Sequence, residues 1–126
     1  MGVVHHANYI RWFEVGRTEY LRSVGINYAQ MERDGVYAPI LRVEVEYKRP
    51  AAYDDEVIIQ TRVLSFAQLR LRFGYRVLNM RRELLCEGLT VQAFVGRDLN
   101  PINPYKAIPD AVALMLKCAE KDKADG

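Results

Sequence analysis

Apolar residues in the first quarter of the chain recur with a helical period. From about Ala7 to Val24, Ile10, Phe13, Arg17, Tyr20, Leu21 and Val24 fall on one face of a helix, and Gly25 supplies a stop. Trp12 and Val15 add apolar surface on other sides, so this helix is predicted to be wrapped by other elements. Gly16, in mid-helix, costs about 1 kcal/mol relative to alanine; it predicts a place where a strand or second helix passes close. A short helical turn follows, with Asn27 as its cap, Gln30 in the capping-box position and Gly35 at its end.

Beyond Val36 the period becomes two. Val43, Val45 and Tyr47 alternate with Glu44, Glu46 and Lys48, a half-buried strand ended by Arg49-Pro50. After a turn at Asp54-Asp55, Glu56 to Leu64 reads as a second strand. Leu69 to Leu78 reads as a third, with Leu69, Leu71, Phe73, Tyr75 and Val77 on one face and Arg70, Arg72 and Arg76 on the other. Asn79 to Arg82 makes a hairpin turn before a long fourth strand, Leu84 to Val95, in which Gly88 predicts a bulge or kink. Asn100-Pro101 and Asn103-Pro104 mark a loop, and Pro109-Asp110 opens a C-terminal helix through about Cys118. One apolar helix followed by a run of antiparallel strands is an α+β pattern, not the βα alternation of a parallel nucleotide-binding sheet. The economical architecture is a curved antiparallel sheet around the helix, with its open edges paired in a homodimer.

Size and composition narrow the function classes. A chain of 126 residues suits one domain, here residues 1–118 with a polar tail over 119–126. Charged residues make up 27% and the net charge is +2, which indicates neither disorder nor a strong nucleic-acid field. No apolar run approaches the ~18 residues a membrane-spanning helix needs. Cys86 and Cys118 lack metal or redox spacing and are expected as free thiols, and nothing at the start reads as a signal peptide, so a cytoplasmic location is expected.

The densest polar cluster is Gly2, His5, His6, Asn8 and Tyr9, before and within the first helical turn. A helix N-terminus carries unpaired N–H groups and about half a positive charge, so it favours a carbonyl oxygen becoming an oxyanion. His6 and Asn8 can orient a substrate there, and equally can serve as caps. Adjacent histidines rarely aim at one ion, and no metal site is expected. The Arg70, Arg72 and Arg76 stripe suits either a solvated strand face or phosphate groups, which arginine binds bidentately; exposed aromatics for stacking on nucleic acid are not interleaved with it. Tyr9, Tyr20, Tyr47 and Tyr75 fit core or dimer-interface positions.

The stretch Gly2 to Leu21, GVVHHANYIRWFEVGRTEYL, closely resembles the signature of hotdog-fold acyl-CoA thioesterases of the 4-hydroxybenzoyl-CoA thioesterase family, YbgC-type branch. Weaker matches follow in order: Val43–Pro50, Tyr53-Asp54-Asp55, Cys86-Glu87-Gly88 with Thr90, and Ile108-Pro109. The resemblance implies a hotdog fold, a long central helix held in a curved antiparallel sheet, assembled as a homodimer or homotetramer with the site at the dimer interface. It implies hydrolysis of short-chain or aromatic acyl-CoA, with acyl-carrier protein as a further possible thioester carrier and no cofactor beyond the coenzyme A of the substrate. By resemblance His6 and Asn8 stand near the thioester carbonyl. Gly2, Val3, Val4, His5 and Tyr9 line the pocket, and Arg70, Arg72 and Arg76 are candidates for the coenzyme A phosphates. Glu14, two turns on from His6, is expected on the helix surface or in an interface. The family's acidic residue would fall about two residues ahead of Met1, and the strand before it would fall there too. A start codon assigned too late is one expectation; a short form that binds acyl-CoA or acyl-carrier protein without turnover is the other.

Overall fold

The computed structural model describes the backbone of residues 6–50 and 56–125, and the side chains from Tyr9 to Asp122 within them. The Tyr53-Asp54-Asp55 match lies outside the described residues. The elements run α1 (His6–Ser23), α2 (Tyr28–Arg33), β1 (Ile40–Tyr47), β2 (Val57–Ala67), β3 (Arg70–Asn79), β4 (Leu84–Gln92), α3 (Pro104–Ala107) and α4 (Pro109–Asp125). The four strands form one antiparallel sheet in the order β1-β4-β3-β2.

The helix α1 lies across one face of this sheet. Its buried stripe is Tyr9, Phe13, Gly16, Arg17 and Leu21, the set that a 3.6-residue period places together. Ile10, expected on that stripe, shares the angular position of buried Arg17 and Leu21 but is 46% exposed near the start of the helix, and Val15 is 48% exposed. The helix therefore leaves two large apolar side chains open, on different sides. At Gly16 the expected close approach is present: an added Cβ would stand 2.4 Å from Thr61 Oγ1 and 2.7 Å from Ile59 Cγ2.

Gly88 serves the same seat from the sheet side, and here the expected bulge is corrected. Gly88 stays in register with Val45 on β1 and Tyr75 on β3, while the irregularity in β4 falls where Val77 pairs Cys86 but Leu78 pairs Leu84. What demands glycine is contact: a Cβ there would lie 2.2 Å from the Glu44 carbonyl oxygen and 2.6 Å from Phe13 Cε2. A second irregularity, between Val63 and Ser65, shifts the alternation so that Phe66 returns to the core face, against Phe94 and Tyr105.

Several local expectations were close but incomplete. Asn27 Oδ1 accepts from the Gln30 N–H, as a cap should, but the Gln30 side chain turns to Asp34 and Arg33 instead of closing a capping box. The fourth strand stops at Gln92, and Val95 forms only isolated bridges to Tyr37 and Pro101. The one-turn helix α3, capped by Asn103, forms where the sequence pattern predicts a loop. Helix α4 runs on past Cys118 because Asp122, in the supposed tail, is anchored. Its carboxylate accepts from the Tyr20 hydroxyl and, at 2.8 Å, from the Val63 N–H on the edge of β2. Cys86 and Cys118 are free and buried, as expected.

Two stability outcomes follow from this geometry. Gly88→Ala must push backbone as well as Phe13, so it should cost about 3 kcal/mol in a urea melt. The two-residue β2–β3 turn places Gln68 and Leu69 at φ +54° and +60°, a region costly for side chains with a Cβ. Leu69→Gly should therefore raise stability by about 1 kcal/mol in the same measurement.

Candidate functional site

The first turn of α1 is the chemically distinctive end of the molecule. Its backbone starts at His6 and contains Asn8, whose side chains, like all of Gly2, Val3, Val4 and His5, lie outside the described residues. The described structure shows what holds this turn in place. Tyr9, 3% exposed, meets Trp12 and Tyr47 edge-to-face with centroids 5.0 Å away in each case. One turn on, Phe13 stacks on Tyr75 at 4.4 Å with the rings 8° from parallel. The N-terminus of α1 is thus seated on an aromatic floor built from β1 and β3, over the Gly88 gap in β4.

Beneath that floor runs a buried polar network that the sequence reading missed, because Arg17 was grouped with the apolar stripe. Arg17 Nη1 donates to the Tyr75 hydroxyl at 3.1 Å, and that hydroxyl is hydrogen-bonded to the Thr90 hydroxyl at 2.7 Å. Beside it, the Tyr28 hydroxyl donates to Gln92 Oε1 at 3.2 Å, and Gln92 Nε2 donates to the Ala38 carbonyl at 2.8 Å. Arg17 makes no ion pair with any described carboxylate, and its Nε has no hydrogen-bond partner among the described residues. Burial works to lower its pKa, but the hydroxyls of Tyr75 and Tyr28 outweigh that, and the guanidinium stays charged. Burial in turn pushes the phenols of Tyr28 and Tyr75 above their ordinary range. A signal was available: an arginine at i+4 from a buried phenylalanine on an apolar stripe asks for internal acceptors.

Cys86 lies on the same sheet face, next to Tyr47 in the β1–β4 ladder. Burial, with Glu87 adding to it, pushes this thiol from 9.0 up to about 12. It is a neutral packing residue near pH 7 and not a thiolate nucleophile. Among the described residues no three His, Cys, Asp or Glu side chains gather as metal ligands do. Glu14 is exposed on α1. Arg70, Arg72 and Arg76 alternate with Leu71, Phe73, Tyr75 and Val77, so they occupy the sheet face turned away from α1. Within one chain the structure therefore does not bring the arginine stripe together with the α1 N-terminus.

Residues 1–116 match the model of the thioesterase-like superfamily. The chain belongs to that superfamily. It is 36% identical over 116 residues to the acyl-CoA thioester hydrolase YbgC of Escherichia coli O6:H1, covering 92% of this chain and 84% of that protein. It is 32% identical over 114 residues to the acyl-CoA thioesterase YbgC of Haemophilus influenzae, covering 88% and 79%. The crystal structure of a DHNA-CoA thioesterase from Staphylococcus aureus superposes on the whole chain and on 85% of its own, with a TM-score of 0.93 and 31% identity. The helix-in-sheet architecture is thus the hotdog fold of these thioesterases. Among the described residues no helix is long and apolar enough to cross a membrane.

The raised thiol pKa sets an alkaline limit on stability. Unfolded Cys86 ionises from about pH 9, while the folded thiol resists until about 12. Its contribution is present in full below pH 9 and is lost as pH rises between those values. Urea midpoints should fall across that window, and the fall should be shallower in Cys86→Ala.

Proposed function

We propose that this chain is an acyl-CoA thioesterase acting on short-chain or aromatic acyl groups at the N-terminus of α1. The observation that carries the reading is the seating of that turn: a helix end fixed on buried Tyr9 and Phe13, in a chain matching the superfamily over residues 1–116. The first-turn N–H groups have no partner within the helix and carry its positive end, so they suit the oxygen of a thioester carbonyl. In the reaction, water oxygen bonds to the acyl carbon, negative charge gathers on the carbonyl oxygen, and the carbon–sulfur bond then breaks. The sulfur takes up a proton, giving a free acid and coenzyme A thiol. Helix N–H groups lower the barrier by stabilising the oxyanion. His6 and Asn8 orient the thioester, the Gly2–Val4 backbone and His5 line the pocket, and Tyr9 supports it from below. By resemblance to the family, the carboxylate that would activate the water belongs about two residues ahead of Met1.

The same reading pairs two chains through the β1 edge. Leu41 is 54% exposed there, and Ile40, Val43 and Tyr47 are exposed apolar residues of the same strand. Pairing that edge would bury these side chains together with the open strand edge, and would place the two α1 N-termini at the interface.

The test is thiol release from a panel of acyl-CoAs. A chain extended at Met1 to carry aspartate two residues upstream should hydrolyse short or aromatic acyl-CoA, and residues 1–126 alone should turn over about 100-fold more slowly or less. In the extended chain Asn8→Ala should lower kcat/KM by about 100-fold, and Cys86→Ala should leave it unchanged. Tight acyl-CoA binding without turnover in both chains would favour a binding module instead.

A further inference from the structure

The turn between β3 and β4 presents two arginines that the chemistry at the α1 N-terminus leaves unused. Its backbone is tightly fixed. The Arg82 N–H donates to the Asn79 carbonyl at 2.9 Å, and the Asn79 N–H donates to the Glu83 carbonyl at 3.0 Å. Asn79 Oδ1 accepts from the N–H groups of Arg81 and Glu83. Met80, Arg81 and Arg82 thus bridge the strands, and the third residue of such a loop takes left-handed backbone, which glycine suits best. That residue is Arg82, at φ +65°, so the chain holds a guanidinium where a Cβ is strained. All three loop residues are exposed, Met80 by 62%. Neither arginine makes an ion pair with a described carboxylate. The neighbouring Glu83 is taken up by Arg49 at 2.8 Å and by Asn79 Nδ2 at 3.0 Å.

This turn stands at the end of the sheet from which α1 starts. Phe13 lies over Gly88, and Tyr9, one helical turn earlier, lies against Tyr47, whose register partner is Cys86. Going back along α1 therefore goes back along β4, toward the turn. Arg82 is about 13 Å along an extended strand from Cys86, and the helix start at His6 is about 4.5 Å beyond Tyr9. A gap on the order of 10 Å along the strands separates the helix end from the turn. The pantetheine arm between a thioester and the phosphates of its coenzyme A can cross it.

We propose that Arg81 and Arg82 hold the phosphates of the coenzyme A nucleotide, with Met80 against its adenine, while the thioester lies at the α1 N-terminus. The position of the thioester rests on the function proposed above; the phosphates move from the Arg70, Arg72 and Arg76 stripe, on the sheet face turned away from α1, to the turn. Guanidinium groups bind phosphate through paired hydrogen bonds. Mounted on a fixed turn, they lose little freedom on binding. The Met80 thioether gives a purine ring a polarisable apolar surface.

Calorimetric titration of the 126-residue chain with free coenzyme A and with pantetheine tests this without turnover. Coenzyme A should bind the more tightly, and its advantage should shrink as salt rises. Arg82→Gly should weaken coenzyme A binding about 10-fold, leave pantetheine unchanged and, by relieving the left-handed strain, raise the urea midpoint. Affinity and stability then move in opposite directions, which a loss of fold would not produce. Arg81→Ala should also weaken coenzyme A, and Arg72→Ala should not. Equal affinity for coenzyme A and pantetheine, or coenzyme A binding indifferent to both Arg81→Ala and Arg82→Gly, would overturn the proposal. So would binding of an acyl-carrier protein that needs Arg82 when that of coenzyme A does not. Coenzyme A binding that needs Arg82, without thiol release from the chain or its extended form, sinks the thioesterase function and leaves the phosphate site standing.

Discussion

The fit of α1 against the glycine-bearing sheet is the constraint on which the rest of the molecule depends. Phe13 enters a space that exists only because residue 88 has no side chain, and the helix backbone at Gly16 rests directly on Thr61 and Ile59. Apolar burial alone would bring a helix to this sheet, but it would not fix how far along or at what rotation. Two glycines, one on each partner, convert a general attraction into a single seat. The position of the α1 N-terminus, and so of any chemistry done there, is set by that seat.

The polar network below reinforces the same arrangement by a different principle. Arg17 carries its charge into the core without a described carboxylate to meet it, held through Tyr75 to Thr90. Leaving a buried charge with fewer partners is far more costly than losing an exposed contact. A shift of α1 that broke the Arg17–Tyr75 bond would also unstack Phe13 from the same tyrosine ring. Tyr75 thus couples the stacking and the hydrogen bonding, and the helix has few alternative registers.

The two sheet faces divide the labour. One is a packed aromatic and aliphatic surface under α1, from Val45 through Gly88 and Tyr75 to Thr61. The other carries Glu44 and Glu87 on β1 and β4 and Arg62 and Arg76 on β2 and β3 around a small apolar centre, with Arg42 paired to Glu44 along β1. Alternation with a period of two produces both from the same residues, and the irregularities at Leu64 and Leu85 correct the phase where the core needs it.

Much of this was legible along the chain. The helical period of α1, the strand alternation, the antiparallel character of the strands, the close approach at Gly16 and the cap at Asn27 were legible from local patterns, whereas the pairing of β1 with β4 was not. The front motif likewise carries the resemblance to the thioesterase family in its sequence alone. What the chain could not display was which neighbour each residue would meet. Gly88 reads as a bulge until Phe13 is found above it, Arg17 reads as part of an apolar stripe until two tyrosines from other elements close around it, and Asp122 reads as tail until Tyr20 and Val63 reach it. Ile10 shows the same limit from the other side: it shares its helical angle with buried Arg17 and Leu21 and is exposed all the same. Periodicity determines the type of each element; only packing, which joins residues distant in sequence, decides the partners and therefore where the site stands.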